Sequence, residues 1–155
     1  MYVLTPGARV RFISYLDIDV ALGVNTPADK WTAPPTAVKR LSEGNRTDRT
    51  IFVIEVADNG AFRLRWAADQ GQYLAWQAPY KQLWLIDKAT ALHPRYCETS
   101  LFTVDAVKDG NWFALNNAQH THVVDIDHGS TASGTAVFSW RWNGGDNQVW
   151  RSEAA

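Results

Sequence analysis

Residues 143–150 read NGGDNQVW: four turn formers at 143–146, two amides, Asn147 and Gln148, then Val149 and Trp150. Glycine reaches positive φ without steric cost, and Asn and Asp bond their own backbone, so the first half reads as a tight turn. An apolar–aromatic pair after such a turn reads as the start of a strand. The fold depends on whether this element occurs once or is one copy of several.

It is one of three. Residues 50–55 (TIFVIE), 100–105 (SLFTVD) and 148–153 (QVWRSE) share an x-apolar-aromatic core, which makes Phe52, Phe102 and Trp150 equivalent. These aromatics are expected to point inward and fill a shared centre. Upstream, EVADNGAFRLRW (55–66) and DAVKDGNWFALN (105–116) align on Gly60 with Gly110 and on Phe62 with Trp112. Val10 and Leu22, Phe62 and Leu74, and Trp112 and Val124 each stand 12 positions apart. TAVKRL (36–41) aligns without gaps to TAVFSW (135–140), with KQLWLI (81–86) in the middle copy.

Short β-like runs separated by Gly, Asn, Asp or Pro clusters account for the chain, and no stretch carries helical period, so the class is all-β. Units of this length cannot each bury a core alone, whereas closure around an axis removes exposed strand edges. The expected architecture is a pseudo-threefold, closed β domain over 1–155, with copies at approximately 1–56, 57–106 and 107–155.

The chain has 155 residues, enough for one domain with a real core. Fifteen Lys and Arg stand against sixteen Asp and Glu with no basic run, which argues against nucleic acid as a partner. No apolar run reaches transmembrane length, so membrane insertion is not expected. The start lacks a basic segment followed by a long apolar run, which predicts a cytoplasmic location, with leaderless release also compatible. Cys97 is the sole cysteine and is expected to be a buried, inert thiol. Eight Trp point to a packed β core, an aromatic ligand platform, or both.

The third copy, VVDIDHGSTASGTAVFSWRWNGGDNQVWRSE, resembles the ricin B-chain-like lectins. Their β-trefoil repeats carry an apolar-Asp-apolar strand, a Gly-Thr before a Trp-ending strand, and an Asn-Gln-x-Trp close. The match is specific over residues 111–152, while the first two copies keep the architecture and have lost the motif. The resemblance implies a β-trefoil lectin for glycans or glycoproteins, with galactose or N-acetylgalactosamine the first sugars to test. It implies that Asp125 accepts hydrogen bonds from ring hydroxyls, Trp140 stacks on the sugar face and Asn147 adds a polar contact. In the family Gln-x-Trp is chiefly a folding element, so Gln148 bonds backbone and Trp150 packs inside.

The chemistry agrees: vicinal hydroxyls suit a double acceptor, and an apolar C–H face suits a flat ring. The candidate sugar-site set is Asp125, Trp140, Asn147, Gln148, Trp142 and Phe138. Phe138 stands where the pattern often has a polar residue, and Trp142 is the better platform if Trp140 is buried. Gly23 and Ala75 occupy the position of Asp125 in the other copies, which predicts one site, and Asp17 and Asp19 read as solvated loop acids. Because Asp125 should face ligand, Asp125→Asn is expected to weaken binding and leave the melting temperature unmoved.

Other signals are weaker. YLAWQAPYKQLW (73–84) offers Tyr73, Trp76, Tyr80 and Trp84 as a second aromatic site, against the plainer reading of core packing. His120, His122, Asp125, Asp127 and His128 form no converging zinc set, so no metal is expected. Neither a cofactor motif nor a nucleophile–base order is found, so no cofactor and no enzyme activity are expected. The alternative function is a protein-binding β-trefoil such as a protease inhibitor, with contacts from loops 25–35 and 77–81. Agglutination would need a second site or a homodimer.

Overall fold

The computed structural model describes residues 4–25, 36–43 and 47–155. Twelve strands form among them: β1 (Arg9–Ser14), β2 (Val20–Val24), β3 (Thr36–Arg40), β4 (Phe52–Val56), β5 (Phe62–Trp66), β6 (Gln72–Ala75), β7 (Trp84–Asp87), β8 (Phe102–Lys108), β9 (Trp112–Asn117), β10 (Val123–Ile126), β11 (Val137–Trp140) and β12 (Trp150–Ala154). Alternation sets their faces, as in β5, where Phe62 and Leu64 are buried while Arg63 and Arg65 reach the surface. One short helix, α1 (Lys88–Leu92), follows β7, and Asp87 accepts a 2.8 Å bond from the Thr90 N–H at its start.

Six antiparallel strands close a ring in the order β12, β1, β4, β5, β8, β9 and back to β12. The remaining strands form three hairpins, β2–β3, β6–β7 and β10–β11. Closure removes the barrel edges that single repeats would expose. The expected repeat edge at 106 falls within β8, which runs to Lys108.

Register demonstrates the threefold relation. Phe52 faces Val10, Phe102 faces Phe62, and Trp150 faces Phe113. The three closing aromatics are fully buried, as expected from their equivalence. Phe12 packs between Phe52 and Phe113, at ring-centroid distances of 6.3 and 6.2 Å. Trp150 also donates its indole N–H to the Val124 carbonyl at 3.1 Å, which ties the barrel to the third hairpin.

Two alignments made on sequence are displaced. The third-copy equivalent of Phe62 is Phe113, because six residues separate the paired Asn116 and Val123, against seven between Ile13 and Ala21 and between Arg65 and Tyr73. Trp112 instead lies outside, edge-on to Tyr15 at 4.9 Å and beneath the Arg151 guanidinium at 4.6 Å. The hairpins pair Leu22 with Val38, Leu74 with Leu85 and Val124 with Ser139, so TAVKRL and TAVFSW match only after a shift of two residues. The same registers make Gly23, Ala75 and Asp125 equivalent, as read.

Asp17 and Asp19 are not merely solvated. Both bind the Arg40 guanidinium at 3.1 Å, and Arg40 donates onward to the Thr131 carbonyl, joining the first copy to the third. Cys97 is only partly buried and sits in a short turn at Cys97–Ser100, correcting the buried-thiol expectation.

Candidate ligand-binding site

On β10, Val124 and Ile126 enter the core, which turns Asp125 to the other face, directly opposite Phe138 of β11. The NGGDNQ turn then folds over it. Gly144 adopts a φ of 78°, which favours glycine, and a Cβ on Gly145 would lie 2.5 Å from Asn147 Oδ1, so a larger residue there would push the Asn147 side chain aside. Asn143 Oδ1 accepts from the Gly145 N–H at 2.9 Å.

The two amides that follow hold the carboxylate. Gln148 Nε2 donates to Asp125 Oδ2 at 2.8 Å and to the Arg141 carbonyl at 2.8 Å, and its Oε1 accepts from the Asn143 N–H at 2.9 Å. Asn147 Nδ2 donates to Asp125 Oδ1 at 3.0 Å and to the Ile126 carbonyl at 3.0 Å. Each carboxylate oxygen therefore has one fixed donor and a lone pair left for a ligand. Burial pushes the Asp125 carboxyl above its ordinary value of 3.8. The nearby Asp127 charge adds to this, and the Gln148 and Asn147 bonds oppose it.

Above Asp125 opens a cleft of about 380 Å³, a size at the lower end of small-molecule sites. Phe138 and Trp140 form its apolar wall, and Tyr80 joins them from the second copy. Asp127, His128, Asn143 and Asn147 complete its polar rim. Trp140 is 41% exposed, and Tyr80 meets it edge-on at 4.6 Å. A flat ring beside an oriented carboxylate, the Asn147 amide oxygen and the Asn143 side chain fits a ligand with one apolar face and adjacent hydroxyls.

Four of the six residues expected at the site, Asp125, Phe138, Trp140 and Asn147, line this cleft. Gln148 does not: it is fully buried with its amide saturated, and it acts by positioning Asp125. Trp142 is also elsewhere. Trp140 is not buried, so the condition that would have made Trp142 the better platform is not met; β11 ends at Trp140 and both rings are exposed. Trp142 lines a separate depression with Asp105, Asn116 and His120.

The four aromatics of the second-copy run do not converge on one cavity. Tyr73 is buried, with its hydroxyl donating to Glu55 at 2.8 Å and its pKa pushed up to about 12 by that burial and by the Glu55 bond. Trp76 is buried against Phe102 at 5.0 Å, and Trp84 sits on β7 opposite Ala75. Tyr80 alone reaches the cleft, because its loop runs along β11: the Tyr80 N–H donates to the Ser139 carbonyl and the Ser139 N–H to the Lys81 carbonyl. No local signal in the sequence marks that pairing. Asp127 and His128 could have been nominated, since they directly follow the apolar-Asp-apolar strand. Of the loop expected at 25–35, positions 26–35 lie outside the described residues.

No curated protein sequence matches this chain. Residues 98–155 match the family model of ricin-type β-trefoil lectin domain-like proteins, a span that includes the whole cleft except Tyr80. Among solved structures, the designed threefold-symmetric protein ThreeFoil superposes with a TM-score of 0.77 at 16% identity, covering 95% of this chain and 99% of that one. The fold is a β-trefoil. A ricin B-like lectin from Macrolepiota procera, solved in complex with lactose, gives a TM-score of 0.74 at 13% identity over 97% of this chain and 98% of the other. A mosquitocidal holotoxin gives 0.80 at 11% identity, and there the β-trefoil covers 97% of this chain but 18% of the toxin. The resemblance read from the third copy is thus borne out, and the match begins earlier than residue 111.

Proposed function

We propose that this β-trefoil binds carbohydrate through the third-copy cleft, with galactose or N-acetylgalactosamine as the terminal sugar and glycans or glycoproteins as partners. The observation that carries the reading is the Asp125 carboxylate, held at the floor of the cleft by Gln148 and Asn147 with the exposed Trp140 face beside it. Asp125 accepts from vicinal hydroxyls, Asn147 orients them, and Trp140, Phe138 and Tyr80 receive the C–H face. Galactosides complexed to a β-trefoil of the same fold, as in the Macrolepiota lectin with lactose, support this choice of sugar.

The role is binding without turnover. The Gln148 and Asn147 bonds favour the ionised acceptor and offset part of the rise in pKa that burial imposes, so Asp125 is held as an acceptor for ligand hydroxyls. Gly23 and Ala75 leave the other copies without an equivalent carboxylate, so one cleft of this kind is expected per chain. Cross-linking of cells would then depend on a homodimer or a second type of site.

A glycan array with the purified chain tests the reading. Binding confined to terminal galactose or N-acetylgalactosamine supports it, and an array with no bound glycan overturns it.

A further inference from the structure

A second cavity, of about 210 Å³, lies between the second and third copies, lined by Gln77, Glu98, Asn117, Gln119, His122 and Ser139 above buried Trp76. A ridge of rings separates it from the Asp125 cleft: Tyr80 is edge-on to Trp140 at 4.6 Å on one side and to His122 at 5.4 Å on the other. Tyr80 is 48% exposed and has a φ of 62°, a left-handed conformation that a bulky side chain rarely adopts. Its backbone bond to Ser139 at 3.0 Å anchors that conformation on β11.

We infer that the two cavities are adjoining subsites and that the ligand is a neutral oligosaccharide, at least a disaccharide, crossing Tyr80. This rests on the sugar-binding reading of the Asp125 cleft. The ridge presents apolar ring surface where a sugar presents its C–H face, and polar groups flank it on both sides.

The second cavity has donors and acceptors to offer. Gln119 Nε2 donates to Glu98 Oε2 at 2.9 Å, which orients the amide and leaves its other N–H and its oxygen toward a ligand. His122 Nδ1 pairs with Thr121 Oγ1 at 2.9 Å, leaving Nε2. Asn117 is engaged in the 117–122 turn, accepting from the Thr121 and His122 N–H groups at 2.9 and 3.2 Å, so it fixes the wall that carries His122. No Lys or Arg occurs among the described residues lining either cavity, so an acidic sugar or a phosphate would find no guanidinium or ammonium partner.

Titration calorimetry with galactose and with lactose, on the wild type and on Gln119→Ala, His122→Ala and Trp140→Ala, tests the inference. Thermal melts confirm that each variant is folded. Lactose should bind the wild type about tenfold more tightly than galactose. Gln119→Ala and His122→Ala should reduce that preference while leaving galactose affinity unchanged, and Trp140→Ala should weaken both sugars. Equal affinities of the wild type for the two sugars would overturn the second subsite alone, as would Gln119→Ala and His122→Ala changing both sugars alike or neither. If the wild type binds neither sugar, the sugar-binding reading fails and the extension fails with it.

Discussion

Replacing Asp125 with Asn probes the link between scaffold and site. Asp125 is 7% exposed and accepts from Gln148 at 2.8 Å and from Asn147 at 3.0 Å. An Asn side chain of the same shape has one acceptor oxygen, so its NH2 must confront the N–H of one of these two amides. A lost bond to a charged acceptor costs about 1.5–3 kcal/mol. Relief of the buried charge, the same effect that raises the Asp125 pKa, offsets part of it. The net destabilisation should be about 1–2 kcal/mol, a fall in melting temperature of roughly 2–8 °C for a domain of this size. This replaces the expectation of an unmoved melting temperature, which assumed a carboxylate facing ligand alone. Galactose affinity should fall roughly ten- to a hundredfold, as the ligand also loses its charged acceptor. Urea unfolding and calorimetry on the same preparation give both numbers. A melting temperature within about 1 °C of wild type would refute the amide clamp, and unchanged galactose affinity would refute Asp125 as the acceptor.

Trp150→Ala should destabilise the barrel by roughly 3–5 kcal/mol in chemical unfolding, since it empties the fully buried centre and orphans the Val124 carbonyl; wild-type stability would contradict its placement. Galactose affinity should fall progressively as pH is lowered from neutral into the acid range, because the ionised acceptor is lost as pH drops through a carboxyl pKa that burial raises above its ordinary value. Folding runs the other way for this group: a raised folded pKa gives stability that is present below the unfolded value and lost as pH rises through the folded one. The stability gap between wild type and Asp125→Asn should therefore widen as pH falls, measured by urea melts across that range. Trp142→Ala should leave galactose affinity unchanged in calorimetry, because Trp142 lines a different depression; a tenfold loss would place it back in the site.

Phe52, Phe102 and Trp150 were legible in the sequence because each closes a repeat at the same register, and a repeated burial pattern survives loss of the motif itself. Asp125, Phe138, Trp140 and Asn147 were legible because one hairpin and one turn carry them all. The slip from Phe113 to Trp112 arose where two adjacent aromatics both satisfy a strand pattern and only the length of the β9–β10 link tells them apart. Trp142 was grouped with Trp140 by its nearness in sequence, but β11 ends at Trp140 and the chain beyond it carries Trp142 to a different depression. Gln148 and Asn147 are neighbours with near-identical chemistry, and only burial separates the one that positions Asp125 from the one that lines the cleft. Tyr80 was out of reach, since a backbone pairing between the second copy and β11 places it there and no periodicity records such a contact.

The central claim is that the third-copy cleft binds sugar, and Trp140→Ala tests it most directly. Trp140 is exposed, its only described ring partner is Tyr80, and removing it empties no core. Calorimetry with galactose, beside a thermal melt, should show saturable binding to the wild type and a loss of about tenfold or more in the variant, consistent with removal of an aromatic platform. The melting temperature should match wild type. Equal galactose affinity in the two proteins, with both folded, would contradict the account.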